Sequence, residues 1–371
     1  MTGIDVAALA PLEVGGRIGR LRSLLGAGGP GALLVTHLPN VRYLTGFTGS
    51  AGILLVTIDD AVLVTDGRYR EQAGEQLDAA GVAARVLVAA TVSGRRDRLE
   101  PALEPVDRLG LEAHAITWED QRRLAEWFGR LDLVPAGTLV EDLRRVKDAG
   151  EIARVATACA IADDAFAAVL PLLVEGVTER AFALALEHEM RARGASGTSF
   201  DPIVASGANG AKPHARPTER VIGRGELVVC DFGCVVDGYC SDMTRTVSVG
   251  DPGADARGLF DVVLASQRAG ADAVAAGRSC ESVDRAARDV IVSAGLGEAF
   301  VHSTGHGVGL EIHEAPRVSS IGRDTLLDGD VVTVEPGVYL PGVGGVRIED
   351  TVVVTGSGSQ CLTRTPKELV L

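Results

Sequence analysis

Two pairs of carboxylates and a run of histidines in the C-terminal half supply the residue types that hold metal ions and move protons. Asp231 closes the apolar run Gly225-Glu-Leu-Val-Val-Cys-Asp231, and Asp242 follows beyond an Asp237-Gly238 dipeptide. Asp-Gly suits the two-residue type I′ turn of a β-hairpin. With that turn, counting sets Val236 opposite Tyr239, Gly233 opposite Asp242 and Asp231 opposite Thr244. The two aspartates then project from one face as diagonal neighbours, roughly 7 Å apart at the backbone. Their carboxylates can share an ion, with Gly233 leaving room for it; without a cation they would repel one another and their pKa values would rise. Alone, such a pair could equally face solvent on a surface hairpin. A second pair decides for burial: Glu335 in Val-Glu-Pro-Gly and Glu349 in Arg347-Ile-Glu-Asp350 are flanked by Val331, Val332 and Val334 and by Val352, Val353 and Val354. Gly329-Asp-Val-Val-Thr-Val-Glu335 repeats the glycine-to-carboxylate spacing of the first run, so an internal repeat brings two acidic strands together.

Between the pairs lies His302-Ser-Thr-Gly-His306-Gly-Val-Gly-Leu-Glu-Ile-His313-Glu314, with three of the seven histidines. Glycine on both sides of His306 lets backbone approach whatever the imidazole binds. His214 ends the loop-like Ser206-Gly-Ala-Asn209-Gly-Ala-Lys-Pro213-His214. Four carboxylates with one histidine form the oxygen-rich, nitrogen-poor donor set that suits two divalent ions such as manganese, with cobalt or zinc as alternatives. Cys230, Cys234 and Cys240 cluster without a CxxC spacing and read as buried thiols in a reducing compartment.

The elements that must position these groups fall into two rhythms. Short apolar runs at residues 32–36, 51–57 and 61–65 alternate with helical stretches at 69–80 and 118–129, which describes an α/β domain. A charged stretch over 141–147 breaks the pattern. Beyond it come an Ala-rich helix over about 148–170, a second helix with Thr178 as N-cap and Gly194 at its end, then strands, two more helices and more strands. The boundary is placed at 142, giving an N-terminal domain of residues 1–142 and a C-terminal domain of residues 143–371. A chain of 371 residues accommodates both. Its net charge of −14 argues against nucleic acid as a partner. No stretch reads as a membrane span, and residues 1–11 show no leader, which places the protein in the cytoplasm.

These motifs together resemble the pita-bread metallopeptidases, in the Xaa-Pro branch of prolidase and aminopeptidase P. The resemblance rests on Asp231, Asp242, His306, Glu335 and Glu349 in order, within Asp-Met-Thr-Arg-Thr, Gly-His-Gly-Val-Gly-Leu-Glu-Ile-His-Glu, Glu-Pro-Gly and Arg-Ile-Glu-Asp. Asn40-Val-Arg-Tyr-Leu-Thr-Gly-Phe-Thr-Gly-Ser50 and Thr65-Asp-Gly-Arg-Tyr69 resemble the creatinase-type N-terminal domain of that branch. The fold implied is α/β (α+β): a creatinase-like domain followed by a duplicated ααββ pita-bread domain. The resemblance also implies two metal ions, with Asp231 on one, His306 and Glu335 leaning to the other, and Asp242 and Glu349 bridging. Water activated between them would attack the peptide carbonyl, with Glu335 accepting its proton. His214 and His313 would stabilise the tetrahedral intermediate. His302 would line the proline pocket or serve only in packing, and Arg347 would orient the carboxylates or act only as a buried counter-ion. Ser303 stands where many relatives carry glycine and would narrow the pocket slightly.

The implied reaction is hydrolysis of the bond between an N-terminal residue and a following proline, on small peptides, by a homodimer. Dipeptidase and aminopeptidase remain open. Two alternatives stand beside this reading. One is a methionine-aminopeptidase-like enzyme, opposed by the N-terminal domain and by His214. The other is an inactive peptide-binding module, opposed by the complete ligand set.

Overall fold

A computed structural model describes residues 8–26 and 28–370. The absence of a leader, read on residues 1–11, falls largely outside the described residues. The chain forms two compact units, Leu12–Arg144 and Arg145–Leu371, the latter joined by the segment up to Pro11.

The smaller unit is built on β1 (Ala32–Val35), β2 (Gly52–Thr57), β3 (Ala61–Thr65), β4 (Arg85–Val88), β5 (Arg108–Leu111) and β6 (Asp132–Pro135), in the sheet order β4-β3-β2-β1-β5-β6. β1 runs antiparallel to β2 and parallel to β5. Every residue of β1 and β3 is buried, which explains why they read as continuous apolar runs rather than alternating ones. The Asn40 motif forms the helix Leu38–Thr45, stopped by Gly46 in the left-handed conformation at φ 74°. Asn40 itself is fully buried. The charged stretch expected to break the pattern instead belongs in part to a helix, Leu139–Arg145, whose Val140 and Arg144 turn inward. Arg144 Nη1 donates to Asn40 Oδ1 at 2.7 Å, so buried polar pairing sustains a helix that apolar periodicity does not announce.

The larger unit is a duplication. Helices Ala149–Val169 and Glu179–Ala192 precede β7 (Gly197–Thr198), β8 (Ile203–Ser206), β9 (Leu227–Phe232), β10 (Cys234–Val236), β11 (Tyr239–Cys240) and β12 (Met243–Ser248). Helices Gly253–Ala273 and Cys280–Ser293 precede β13 (Gly305–Gly307), β14 (Glu314–Val318), β15 (Val331–Val334), β16 (Gly337–Leu340), β17 (Gly344–Arg347), β18 (Asp350–Thr355) and β19 (Gly358–Cys361). Both helix pairs have 21 and 14 residues. In each repeat the N-cap of the second helix bridges the segment ahead of the long strand, Thr178 with Val221 and Ser279 with Thr325. Gly225 and Gly329 turn the chain into those strands with φ of 78° and 89°. The strands pair as β12-β9-β8 and as β14-β13-β15-β18-β19.

Phe166 anchors the first repeat, stacking on Phe232 at 5.0 Å and meeting Phe182 edge-on at 6.4 Å. Burying each such ring contributes about 1.5–3 kcal/mol. By length and composition, Ala149–Leu172 is a helix that could cross a bilayer, contrary to the expectation that no stretch reads as a membrane span. Here it serves as a core helix: Ala158, Ala162, Ala165, Phe166 and Val169 pack in the interior. Its Asp163 accepts hydrogen bonds from the backbone N–H groups of Arg364 and Thr365 and from the Thr365 hydroxyl.

Candidate active site

The Asp237-Gly238 turn has positive φ at both residues, 44° and 79°, as a type I′ turn requires. Val236 pairs with Tyr239 and Asp231 with Thr244, the register reached by counting. The hairpin is nevertheless interrupted at Gly233, so β9–β12 and β10–β11 belong to different sheets. The space above Gly233 does not admit an ion: a Cβ there would lie 1.9 Å from the Ser241 carbonyl oxygen. Gly233 instead permits backbone to approach backbone, and the kink turns Asp231 and Asp242 toward the second repeat.

Polar links sew the two acidic strand pairs together. The Glu349 N–H donates to Thr244 O at 3.1 Å, the Thr244 hydroxyl donates to Glu349 Oε2 at 2.7 Å, and the Thr351 hydroxyl donates to Asp242 O at 2.8 Å. His306 enters from β13, which is held so tightly that a Cβ at Gly305 or Gly307 would sit 2.0 Å from Thr333 O or 2.2 Å from Ala315 O. Nδ1 of His306 lies 3.0 Å from Gly307 O and donates to it, which leaves Nε2 with its lone pair facing Asp242 Oδ2 at 3.5 Å and Glu335 Oε1 at 3.4 Å. Donor atoms of Asp242, His306 and Glu349 all lie within 4.8 Å of one another.

Arg347 is the cation of this cluster, 3% exposed. Nη2 donates to Asp231 Oδ2 at 2.5 Å, Nη1 to the Tyr339 hydroxyl at 2.5 Å and to Pro213 O at 3.2 Å, and Nε to the Thr244 hydroxyl at 3.1 Å. One arginine does not neutralise four carboxylates. Burial, then repulsion from Glu349, Asp231 and Glu335, drives the Asp242 carboxyl well above its ordinary range. Burial, then repulsion from Glu335 and Asp231, does so for Glu349, and burial pushes Glu335 up to about 7 against the pull of Arg347. The adjacent Asp350 shows the contrast: burial raises its pKa, but Arg245 and Lys367 outweigh this and hold it low. Asp231 Oδ1 and Glu349 Oε1 are buried with no hydrogen-bond partner among the described residues. Such atoms are costly unless something positive takes their lone pairs. Converging carboxylates, two orphaned oxygens and an imidazole lone pair fit divalent ions, with Asp231, Asp242, His306, Glu335 and Glu349 as the residues that could hold them.

All nine residues singled out from the sequence line one cavity of about 780 Å³. His302 is set by Tyr339, whose hydroxyl lies 3.0 Å from Nε2 and, already accepting from Arg347, donates its proton there. The Nδ1–H of His302 then faces Ser303 O at 2.8 Å. Burial, with Arg347 and His214 nearby, lowers this imidazole to about 4, so it is neutral at pH 7. His313 packs edge-on against His306 at 4.4 Å; burial and then His306 lower its pKa. His214 lies exposed on the cavity wall.

Sequence reasoning did not single out Tyr339, Thr244 or Thr333, whose hydroxyls orient His302, Glu349 and Glu335. Thr244 carried a signal, since counting already set it opposite Asp231; Tyr339 carried none. It also passed over Arg317, an exposed cavity-lining cation that has no carboxylate in ion-pair reach among the described residues. Arg216, also on the wall, is paired with Asp201 at 2.5 Å. Cys230, Cys234 and Cys240 are buried, and Cys234 Sγ lies 3.2 Å from Ala158 O, to which it donates.

Comparison with known proteins matches residues 17–146 to the creatinase/prolidase N-terminal domain and residues 153–356 to metallopeptidase family M24. The chain is 36% identical to a Pyrococcus horikoshii Xaa-Pro dipeptidase over 91% of its own length and 94% of the relative's. A solved Xaa-Pro dipeptidase from Bacillus anthracis superposes with a TM-score of 0.92 at 40% identity, covering 96% of this chain and 99% of that one. An X-Pro aminopeptidase from Thermotoga maritima gives 0.86 at 34% identity, covering 95% and 99%. The architecture is a creatinase-type N-terminal domain followed by a pita-bread domain, and the chain belongs to metallopeptidase family M24.

Proposed function

We propose that this chain is a metal-dependent exopeptidase that hydrolyses the bond between an N-terminal residue and a following proline, with Xaa-Pro dipeptides as its preferred substrates. The observation that carries the metal-dependent reading is the pair of orphaned oxygens, Asp231 Oδ1 and Glu349 Oε1, inside a cluster of four carboxylates and one imidazole. Divalent ions held there supply Lewis acidity and bring the pKa of water down toward neutrality. The chain's own groups do the rest. Glu335, with a carboxyl pushed to about 7 before any cation binds, is suited to taking a proton at Oε1 and passing it on. His313 and His214, on the cavity wall, donate hydrogen bonds to the oxygens of the tetrahedral intermediate. His302, neutral and held by Tyr339, offers a flat wall to the proline ring.

Arg317 supports the choice of dipeptides. As an exposed, cavity-lining cation without an acidic partner among the described residues, it can take the free carboxylate of a C-terminal proline. A donor set of four carboxylates to one imidazole favours manganese over zinc. A homodimer working in the cytoplasm completes the proposal, and light scattering on the purified protein tests the oligomer. The N-terminal domain speaks against the methionine-aminopeptidase alternative, and the full donor set speaks against an inactive module. The test of specificity compares an Xaa-Pro dipeptide, the same dipeptide extended by one residue, and the Xaa-Ala analogue. Cleavage of the first far faster than the other two is the expected result. Preference for the tripeptide would make the protein an aminopeptidase P, and equal cleavage of Xaa-Ala would remove the proline requirement.

A further inference from the structure

A second group of metal-donor side chains lies in the N-terminal unit and takes no part in the chemistry above. β1 and β5 run parallel as neighbours inside the sheet, so their C-terminal ends emerge side by side and deliver His37 and His114 to the same end of the strands. Glu141, in the first turn of the helix Leu139–Arg145, reaches the same place. His114 Nε2 lies 2.9 Å and His37 Nδ1 4.0 Å from Glu141 Oε1, and the imidazole rings meet at 5.8 Å and 68°. One donor atom from each of the three lies within 4.8 Å of the other two. Tetrahedral zinc with ligands at about 2.0–2.1 Å sets its donors roughly 3.4 Å apart, a spacing these distances bracket.

The frame behind these donors is rigid. Fully buried Asn40 donates from Nδ2 to Glu141 Oε1 at 2.5 Å and to Glu112 Oε1 at 2.6 Å. The backbone N–H of His37 donates to Glu112 Oε2 at 2.8 Å. A carboxylate and an imidazole oriented by such outer hydrogen bonds are what a metal site needs. The bland alternative, a half-exposed His–Glu ion pair, explains only His114 and is worth at most about 1 kcal/mol. It does not explain a second imidazole aimed at the same carboxylate, where two imidazolium ions would repel. A divalent cation lets both rings bind neutral and satisfies the carboxylate.

We propose that His37, His114 and Glu141 form a zinc site, with water completing the coordination, that ties the ends of β1 and β5 to the helix Leu139–Arg145. The side chains of Glu141 and His37 are about one-fifth exposed and that of His114 41% exposed, so ion and water can enter. The site is independent of the catalytic reading.

The test uses the full chain with Asp242→Asn and Glu349→Gln, which disables the catalytic cluster, and zinc ion alone as probe. After zinc loading and desalting, metal analysis is expected to find one zinc per chain. Adding His114→Ala is expected to lower zinc affinity at least tenfold and to abolish the visible bands of a cobalt-substituted nitrogen-ligated site. Should the double variant not fold, the otherwise wild-type protein gives the same answer by difference: His114→Ala loses one zinc per chain with Xaa-Pro hydrolysis unchanged, whatever number the catalytic cluster holds. Zinc content indifferent to His114→Ala and to Glu141→Gln would overturn the site.

Discussion

Replacing Glu335 with glutamine isolates the electrostatic cost of the acidic cluster from its use. Burial, together with repulsion from Asp231, moves this carboxyl from 4.5 to about 7 even though Arg347 pulls it down. A rise of about 2.5 units at 1.36 kcal/mol each makes the ionised group a burden of about 3 kcal/mol to the metal-free protein above neutral pH. The sign follows from the direction. The folded state prefers the protonated acid, so the contribution is fully present below pH 4.5 and is lost as pH rises through 7. Glutamine keeps the shape and can still accept from the Thr333 hydroxyl but carries no charge. Chelator-stripped Glu335→Gln is therefore expected to melt about 6–12 °C above stripped wild type near pH 8.5, and to match it near pH 4. With manganese or zinc restored, the order reverses, because wild type gains binding energy that the variant lacks. Scanning calorimetry at both pH values, with and without metal, measures all of this. An equal effect at both pH values, or a stripped variant less stable than wild type at high pH, would show that the buried Glu335 charge does not carry this cost.

Three further substitutions probe the same frame. Arg347→Met strands the Asp231 carboxylate and the Tyr339 hydroxyl in the interior; a loss of about 3–5 kcal/mol in chemical denaturation is expected, with hydrolysis abolished. Gly307→Ala forces a Cβ against the Ala315 carbonyl and shifts β13, for about 1–3 kcal/mol and weaker metal retention by equilibrium dialysis through the displaced His306. Arg317→Leu removes a charged partner of the product-side carboxylate. The expected result is a KM for Xaa-Pro dipeptides raised about 10–100-fold with kcat nearly unchanged, and a smaller effect on tripeptides.

Local chemistry made much of this protein legible in its sequence, and non-local packing hid the rest. The hairpin register was readable because Asp237-Gly238 permits one turn geometry and period-two counting does the rest. The break at Gly233 was not, since it depends on the approach of Ser241 from the opposite strand. Matching glycine-to-carboxylate spacings announced the duplication, and the left-handed Gly225 and Gly329 explain why glycine stands there. The helix Leu139–Arg145 escaped because Arg144 and Glu141 are held by Asn40, about a hundred residues away. His37, His114 and Glu141 share no motif; only the adjacency of β1 and β5 unites them. Tyr339 escaped for the same reason, since its place between His302 and Arg347 arises from pairing of β16 with β17.

We propose that the four carboxylates and His306 form a dinuclear site that drives Xaa-Pro hydrolysis. Its decisive check is a manganese titration of the stripped protein that follows cleavage of an Xaa-Pro dipeptide, with Asp242→Asn as the control. The expected result is no cleavage without metal, full activity at two equivalents per chain, and none at any concentration in the variant. Activity that survives chelation, or that persists in Asp242→Asn, would contradict it.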